Sequence, residues 1–196
     1  MRLVVASHNE HKRRELAELL SGHELVPLPA DVELPPEEGE TFADNARVKA
    51  RVAAEATGEA AIADDSGIAA AALGGRPGVR SARFAGEDAT DEENLAKLLS
   101  DVPRDGDRRV AYVCALAFAE PGGAERLFEG RCAGTLATVP RGSGGFGYDP
   151  AFVPDDVPDG RTMAELDPRE KDAISHRGRA ARAFQAWLEA ARTAAR

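Results

Sequence analysis

Apolar and polar positions alternate along the chain in blocks that name their own elements. Leu3–Ala6 is a short apolar run rich in Val, which predicts a buried strand over Arg2–Ala6. The polar turn Ser7-His8-Asn9 follows. Leu16, Leu19 and Leu20 then fall on one face of a helix from Glu10 to Leu20, stopped before Gly22. Glu24–Leu28 reads as a second strand, and Pro27–Gly39 as a proline- and acid-rich loop. Thr41 with Asp44 three residues on forms a capping box, so a helix is expected to run to about Thr57, before Gly58. Ala60–Ala63 predicts a buried strand that ends at Asp64-Asp65-Ser66-Gly67.

In the remainder, Ile68–Leu73 and Val79–Phe84 look extended around Gly74–Gly78. Thr90 and Glu93 make another capping box, opening a helix to about Ser100. Val110–Ala119 and Arg126–Val139 are long strand candidates, joined by a hairpin at Pro121-Gly122-Gly123. Arg141–Pro150 is a glycine-rich loop. Asp167-Pro168 starts a short helical turn, with Asp as N-cap and Pro at the first helical position. The terminal helix begins near Ser175, with Phe184, Trp187, Leu188 and Ala191 on one stripe. Early helix–strand alternation followed by a long hairpin predicts a mixed α/β sheet with helices on its faces.

A chain of 196 residues fits one domain, 1–196, with no need of a disulfide or metal to fold. An uncharged run such as Ala111–Ala119 is far shorter than the roughly 20 apolar residues of a membrane span. Leu3–Ala6 is too short for the apolar core of a signal peptide. Cys114 and Cys132 fall in apolar runs, where buried free thiols are expected. These features point to the cytoplasm and to no membrane partner. The net charge of −9 argues against a generic nucleic-acid binder. An anionic substrate therefore needs a local positive cluster on an acidic body. The bases are mostly Arg; Lys occurs only at 12, 49, 97 and 171, and Lys is a compact charge that Arg does not replace.

Five segments carry candidate chemistry. Ser7-His8-Asn9-Glu10-His11-Lys12 places short donors and an ammonium at a helix start, which suits phosphate, although a plain N-cap explains the same residues. Asp64-Asp65-Ser66-Gly67 sets two carboxylates beside an apolar strand, costly unless a cation pairs with them. Such oxygens suit Mg²⁺, or else mark a turn; adjacent strand residues face opposite ways, so one Asp can bind metal while the other braces the loop. Glu37-Glu38-Gly39-Glu40 offers a second metal ligand at Glu37, and Asn45 and Lys49 share a helix face. Gly142–Pro150 places Phe146 and Tyr148 among glycines, flat faces for a base in a small-molecule pocket. Lys171, His176 and Arg177 gather donors at a helix start. Three of the four lysines lie in these segments.

Taken in order, the segments resemble the RdgB-type inosine/xanthosine triphosphate pyrophosphatases, the ITPase family. The resemblance rests on Ser7–Lys12, Glu37–Lys49, Ala63–Gly67, Leu73–Gly78 with Ser81-Ala82-Arg83, Gly86–Thr90, Gly144–Pro150 and Ser175-His176-Arg177, and covers roughly Leu3 to Leu188. Ser7-His8 stands where many members have Thr-Gly. The resemblance implies an elongated α/β fold: a long, central, mixed and twisted sheet flanked by helices, with two lobes and an active-site cleft between them. It implies a homodimer that hydrolyses ITP, dITP and XTP to the monophosphate and pyrophosphate with Mg²⁺, cleansing the nucleotide pool. It assigns Ser7, His8, Asn9, Glu10, His11 and Lys12 to the triphosphate, with Lys49 beside them. Asp65 becomes catalytic base and metal ligand, Glu37 the second metal ligand, and Ser66 a substrate contact. Phe146, Gly147, Tyr148, Asp149, Lys171, His176 and Arg177 form the base pocket. The alternatives are a related pyrophosphatase for other modified nucleotides and a non-catalytic nucleotide-binding module.

Overall fold

The computed structural model describes residues 1–194. Six strands, β1 (Arg2–Val5), β2 (Glu24–Pro27), β3 (Ala61–Ala70), β4 (Arg109–Ala119), β5 (Glu125–Leu136) and β6 (Phe152–Pro154), form one sheet in the order β2-β1-β3-β4-β5-β6. The sheet is mixed. β1 runs parallel to β2, with Arg2 opposite Glu24, and parallel to β3, with Val4 opposite Ala61; β6 runs antiparallel to β5. Its helices are α1 (Glu10–Leu19), α2 (Phe42–Thr57), α3 (Asp91–Asp101), α4 (Pro168–Ile174) and α5 (His176–Ala194). Both capping boxes form as the sequence requires, Thr41 with Asp44 on α2 and Thr90 with Glu93 on α3. Among the described residues, no helix is long and apolar enough to cross a membrane.

The chain folds as two compact units. One takes Met1–Asp65, Cys114–Gly130 and the chain from Arg177; the other takes Ser66–Val113 and Arg131–His176. In the first unit the alternation of β1 and β3 sorts side chains onto two faces. Val4, Ala6, Ala61 and Ala63 meet Ala46, Ala50, Ala53 and Ala54 of α2. Leu3, Val5 and Ile62 meet Leu16 and Leu20 at α1 and Ala180, Ala181 and Phe184 of α5. Alanines on α2 let that helix lie close against its strands. The second unit has its own core, including Ile68, Leu98, Tyr112, Leu136, Tyr148 and Phe152.

Three local expectations differ from the structure, and one strand, β6, is absent from them. β3 does not end at Asp64; it runs through Asp64-Asp65-Ser66-Gly67 to Ala70. Both carboxylates find partners, so charge does not break the strand, and Gly67 serves close packing instead of a turn. A Cβ there would lie 2.2 Å from Ser81 Oγ. Residues 71–73 and 78–83 are 3₁₀ turns, not extended. Ser81 Oγ donates to the Gly78 carbonyl at 2.6 Å and closes the second of them. β6 has only three residues, too few to show a period. The buried stripe of α5 stops short of Ala191, which is exposed.

Candidate active site

Asp64 and Asp65 leave β3 on opposite sides, and each is met by a different helix. Asp65 faces α2. Its Oδ2 accepts from Asn45 Nδ2 at 2.8 Å, and Lys49 Nζ lies 3.8 Å from its Oδ1. Asn45 Oδ1 accepts from the Gly39 N–H at 2.8 Å, so one carboxamide ties the acidic loop to Asp65. Gly39 has to be glycine for this approach: a Cβ would sit 2.6 Å from Asn45 Oδ1. Lys49 also donates to Glu37 Oε1 at 2.5 Å and to the Asp64 carbonyl at 2.9 Å. Of the three acids in the loop, Glu37 reaches this ammonium, while Glu38 and Glu40 are exposed.

The electrostatics follow from burial and charge. Burial works against the charge on Lys49, but Asp65, Glu37 and Asp64 outweigh it and raise its pKa. Asp65 is pushed up by burial, with Lys49 opposing and Glu37 adding to the push. A carboxylate raised in this way is a better proton acceptor than one on the surface.

Asp64 faces the α1 and α5 side. Its Oδ2 accepts from Arg177 Nε at 3.0 Å and Nη2 at 2.8 Å, and Lys12 Nζ lies 3.5 Å from Oδ1. Arg177 Nη1 donates to Glu15 of α1. Burial opposes the charge on Asp64, but Lys12, Arg177 and Lys49 hold its carboxyl far below the usual range. Asp64 is thus the bracing member of the pair, joining β3 to the start of α5. Arg177 is almost fully buried and its guanidinium is engaged with these carboxylates. This puts a bracing contact on a residue that the sequence reading also expects at the base. Glu15 was not singled out in the sequence, where it is one charge among many on α1.

Ser7-His8-Asn9 links β1 to α1. Asn9 caps the helix, accepting from Lys12 N at 3.1 Å, and Ser7 Oγ accepts from Asn9 N at 3.2 Å. Ser7 is buried, whereas His8, Asn9, Glu10 and His11 are exposed. The turn therefore presents the start of α1 with Lys12 behind it.

Within the second unit, Asp149 is the centre. Its Oδ2 accepts from Lys171 Nζ at 2.7 Å and from the Phe146 N–H at 3.0 Å, and its Oδ1 accepts from Tyr112 OH at 3.0 Å. The Lys171 ammonium sits 5.1 Å from the centre of the Phe146 ring. Gly145, at φ +70, makes room for the carboxylate; a Cβ there would come within 2.0 Å of Asp149 Oδ2. The Gly147 N–H donates to Asp91 at 2.8 Å, fixing the loop to the first turn of α3. His176 is buried and stacks on Tyr112. Tyr148 has its ring in the core, and its hydroxyl donates to the Ser81 carbonyl at 2.7 Å. Ser66 continues β3, half-buried.

No group of three or more His, Cys, Asp or Glu stands together as a metal cage among the described residues. The donor set nonetheless fits Mg²⁺, which takes one or two carboxylates and completes its shell with water and phosphate oxygens. Glu37 and Asp65 already converge on one cation, the ammonium of Lys49. A cavity of about 150 Å³ lies beside Glu37, Asn45 and Lys49, room for several waters.

Residues 3–187 match the Ham1 family. A dITP/XTP pyrophosphatase of Geobacter sulfurreducens is 49% identical over 186 residues, covering 91% of this chain and 92% of that protein. One of Frankia alni is 52% identical, covering 93% and 94%. The relatives thus carry the name of a hydrolase. Among solved structures, a HAM1 protein from Coxiella burnetii superposes with a TM-score of 0.87 at 43% identity, over 96% of this chain and 98% of that one. The mixed sheet flanked by helices is therefore the fold of those proteins, and this chain belongs to the Ham1 family.

Proposed function

We propose that this chain hydrolyses deaminated purine nucleoside triphosphates (ITP, dITP and XTP) to the monophosphate and pyrophosphate, with Mg²⁺, and so clears them from the nucleotide pool. One observation carries the reading: Asp65 and Glu37 flank a single buried ammonium, with Asn45 holding Asp65 in place. A binding module has no need of a carboxylate raised in pKa and held in this way. The relatives' shared name, dITP/XTP pyrophosphatase, supports the substrate class.

The residues divide the work. The N–H groups at the start of α1, Ser7 and Lys12 bind phosphate oxygens. Mg²⁺ held by Glu37 and Asp65 would supply charge neutralisation and a more acidic water. Asp65 takes a proton from the attacking water as the oxygen of that water bonds to the α-phosphorus. The bond from the α-phosphorus to the bridging oxygen breaks, and pyrophosphate leaves with the electron pair. Lys49 and Lys12 stabilise the charge that develops on it. Lys171 and His176 donate to the oxygen at C6 of hypoxanthine or xanthine. Adenine carries an amino donor there and leaves those groups unpaired, a difference worth about 10⁴-fold where a site is built on it, whereas guanine also carries an oxygen at C6 and its exclusion has to act near C2. Both cysteines are buried, and burial pushes the Cys114 thiol up to about 12. The homodimer rests on the family resemblance.

The test is pyrophosphate release from ITP, XTP, dITP, ATP, GTP and dTTP, with Mg²⁺ and with EDTA. Metal-dependent release confined to the deaminated purines is expected. Equal rates on ATP and GTP would overturn the account of the base, and binding of ITP without release would make the chain a binding module.

A further inference from the structure

In the sequence Tyr112 is one residue of an apolar strand, and the structure gives it more to do. It lies on β4 in the second unit and is 6% exposed. Its hydroxyl donates to Asp149 Oδ1 at 3.0 Å. One face of its ring stacks on His176, centroids 4.6 Å apart and planes 14° from parallel. It also stacks on Phe152, at 4.4 Å and 23°. A buried tyrosine needs a partner for its hydroxyl, and a backbone carbonyl is enough, as Tyr148 shows on Ser81. Tyr112 instead spends its proton on a side-chain carboxylate whose other oxygen holds Lys171.

The geometry of Asp149 makes this donor matter. The terminal torsion of a carboxylate is soft, so its plane is set by its partners. Here three donors from three places fix it: Tyr112 on β4, the Phe146 N–H in the glycine loop and Lys171 on α4. Without the hydroxyl, Oδ1 loses this neutral donor, the carboxylate turns to find another, and the ammonium bound to Oδ2 moves with it. The ring stack acts on His176 in the same way, limiting its rotation. We infer that Tyr112 is a positioning residue for purine selectivity, orienting Lys171 through Asp149 and His176 through the stack. The inference rests on the reading that Lys171 and His176 recognise the base.

The test compares kcat/KM for ITP with that for ATP in wild type, Tyr112→Phe, Lys171→Ala and the double variant. Tyr112→Phe keeps a ring between Phe152 and His176 and removes only the hydroxyl. The ITP-to-ATP ratio is expected to fall about tenfold, the scale of a hydrogen bond to a charged group, with the loss on ITP and ATP hydrolysis little changed. The double variant should be no less selective than Lys171→Ala alone, because both changes act on one ammonium. The ratio is taken on one preparation, so a partly unfolded sample cancels out. Should Tyr112→Phe yield no folded protein, Tyr112→Met fills the space with an adaptable chain that also lacks the hydroxyl, and the same fall is expected. Equal losses on ITP and ATP would make Tyr112 a structural residue and overturn the inference. If Lys171→Ala itself leaves the ratio unchanged, the reading of the base fails, and the role of Tyr112 fails with it. A falling ratio for Lys171→Ala beside an unmoved ratio for Tyr112→Phe would overturn the role of Tyr112 alone.

Discussion

At the scale of single residues, Asp64 and Asp65 are chemically identical neighbours made different by their surroundings. Burial and Glu37 raise Asp65, while two cations and a guanidinium hold Asp64 low. Asp65→Asn should therefore lower kcat on ITP about 10³-fold, the scale of a lost general base. An asparagine there can still accept from Asn45, so the fold should survive, and circular dichroism with a thermal melt checks that it does. A folded variant that retains a tenth of the activity would remove Asp65 from the proton transfer. The sequence shows that the two side chains diverge, because strand residues alternate. It does not show which face carries Lys49 and which carries Arg177; that depends on helices 15 to 113 residues away in the chain.

Elements with strong local rules were legible. Capping boxes at Thr41 and Thr90, the αL glycine after α2 and the periodic leucines of α1 depend on residues a few positions apart, and each forms. Segments that depend on distant partners were not. β3 runs on through two aspartates only because α2 and α5 bring cations to both of its faces. The turn at Gly78–Arg83 closes on Ser81, whose hydroxyl also accepts from the Ile68 N–H across 13 residues. The candidate site divides the same way: Asp65, Glu37, Lys49 and Lys171 stand out as charges in odd places, whereas Tyr112 and Glu15 hide in ordinary strand and helix patterns. The cap on α2 carries a prediction at this scale, since that helix presents both Asn45 and Lys49. Thr41→Ala should lower stability by about 1 kcal/mol, read from urea unfolding. Because Asn45 lies in the first turn, kcat on ITP should also fall, by less than tenfold. An unchanged urea midpoint would show that the box adds nothing to the helix.

Across the whole molecule, long-range order in the first unit comes together at one buried guanidinium. Arg177, at the start of the last helix, reaches Asp64 on the third strand and Glu15 on the first helix. A buried pair of this kind is costly to break, because the remaining charge has no water to turn to. Arg177→Met should cost about 3–5 kcal/mol of unfolding free energy on that ground, and Asp64→Asn a comparable amount at pH 7. Acid makes the two wild-type states differ in a defined direction. The carboxyl of Asp64 is depressed in the folded chain, so the unfolded chain takes up its proton first, near the ordinary value of about 3.9. Its stabilisation is therefore full above about pH 5 and is lost as the pH falls. Asn at the same position does not titrate. The gap in unfolding free energy between wild type and Asp64→Asn should accordingly narrow by about 1 kcal/mol between pH 5 and pH 3, when both are measured by urea unfolding. A gap that stays constant over that range would mean that Asp64 binds its proton equally well in both states. The cluster would then hold the chain together without the charge that its geometry implies.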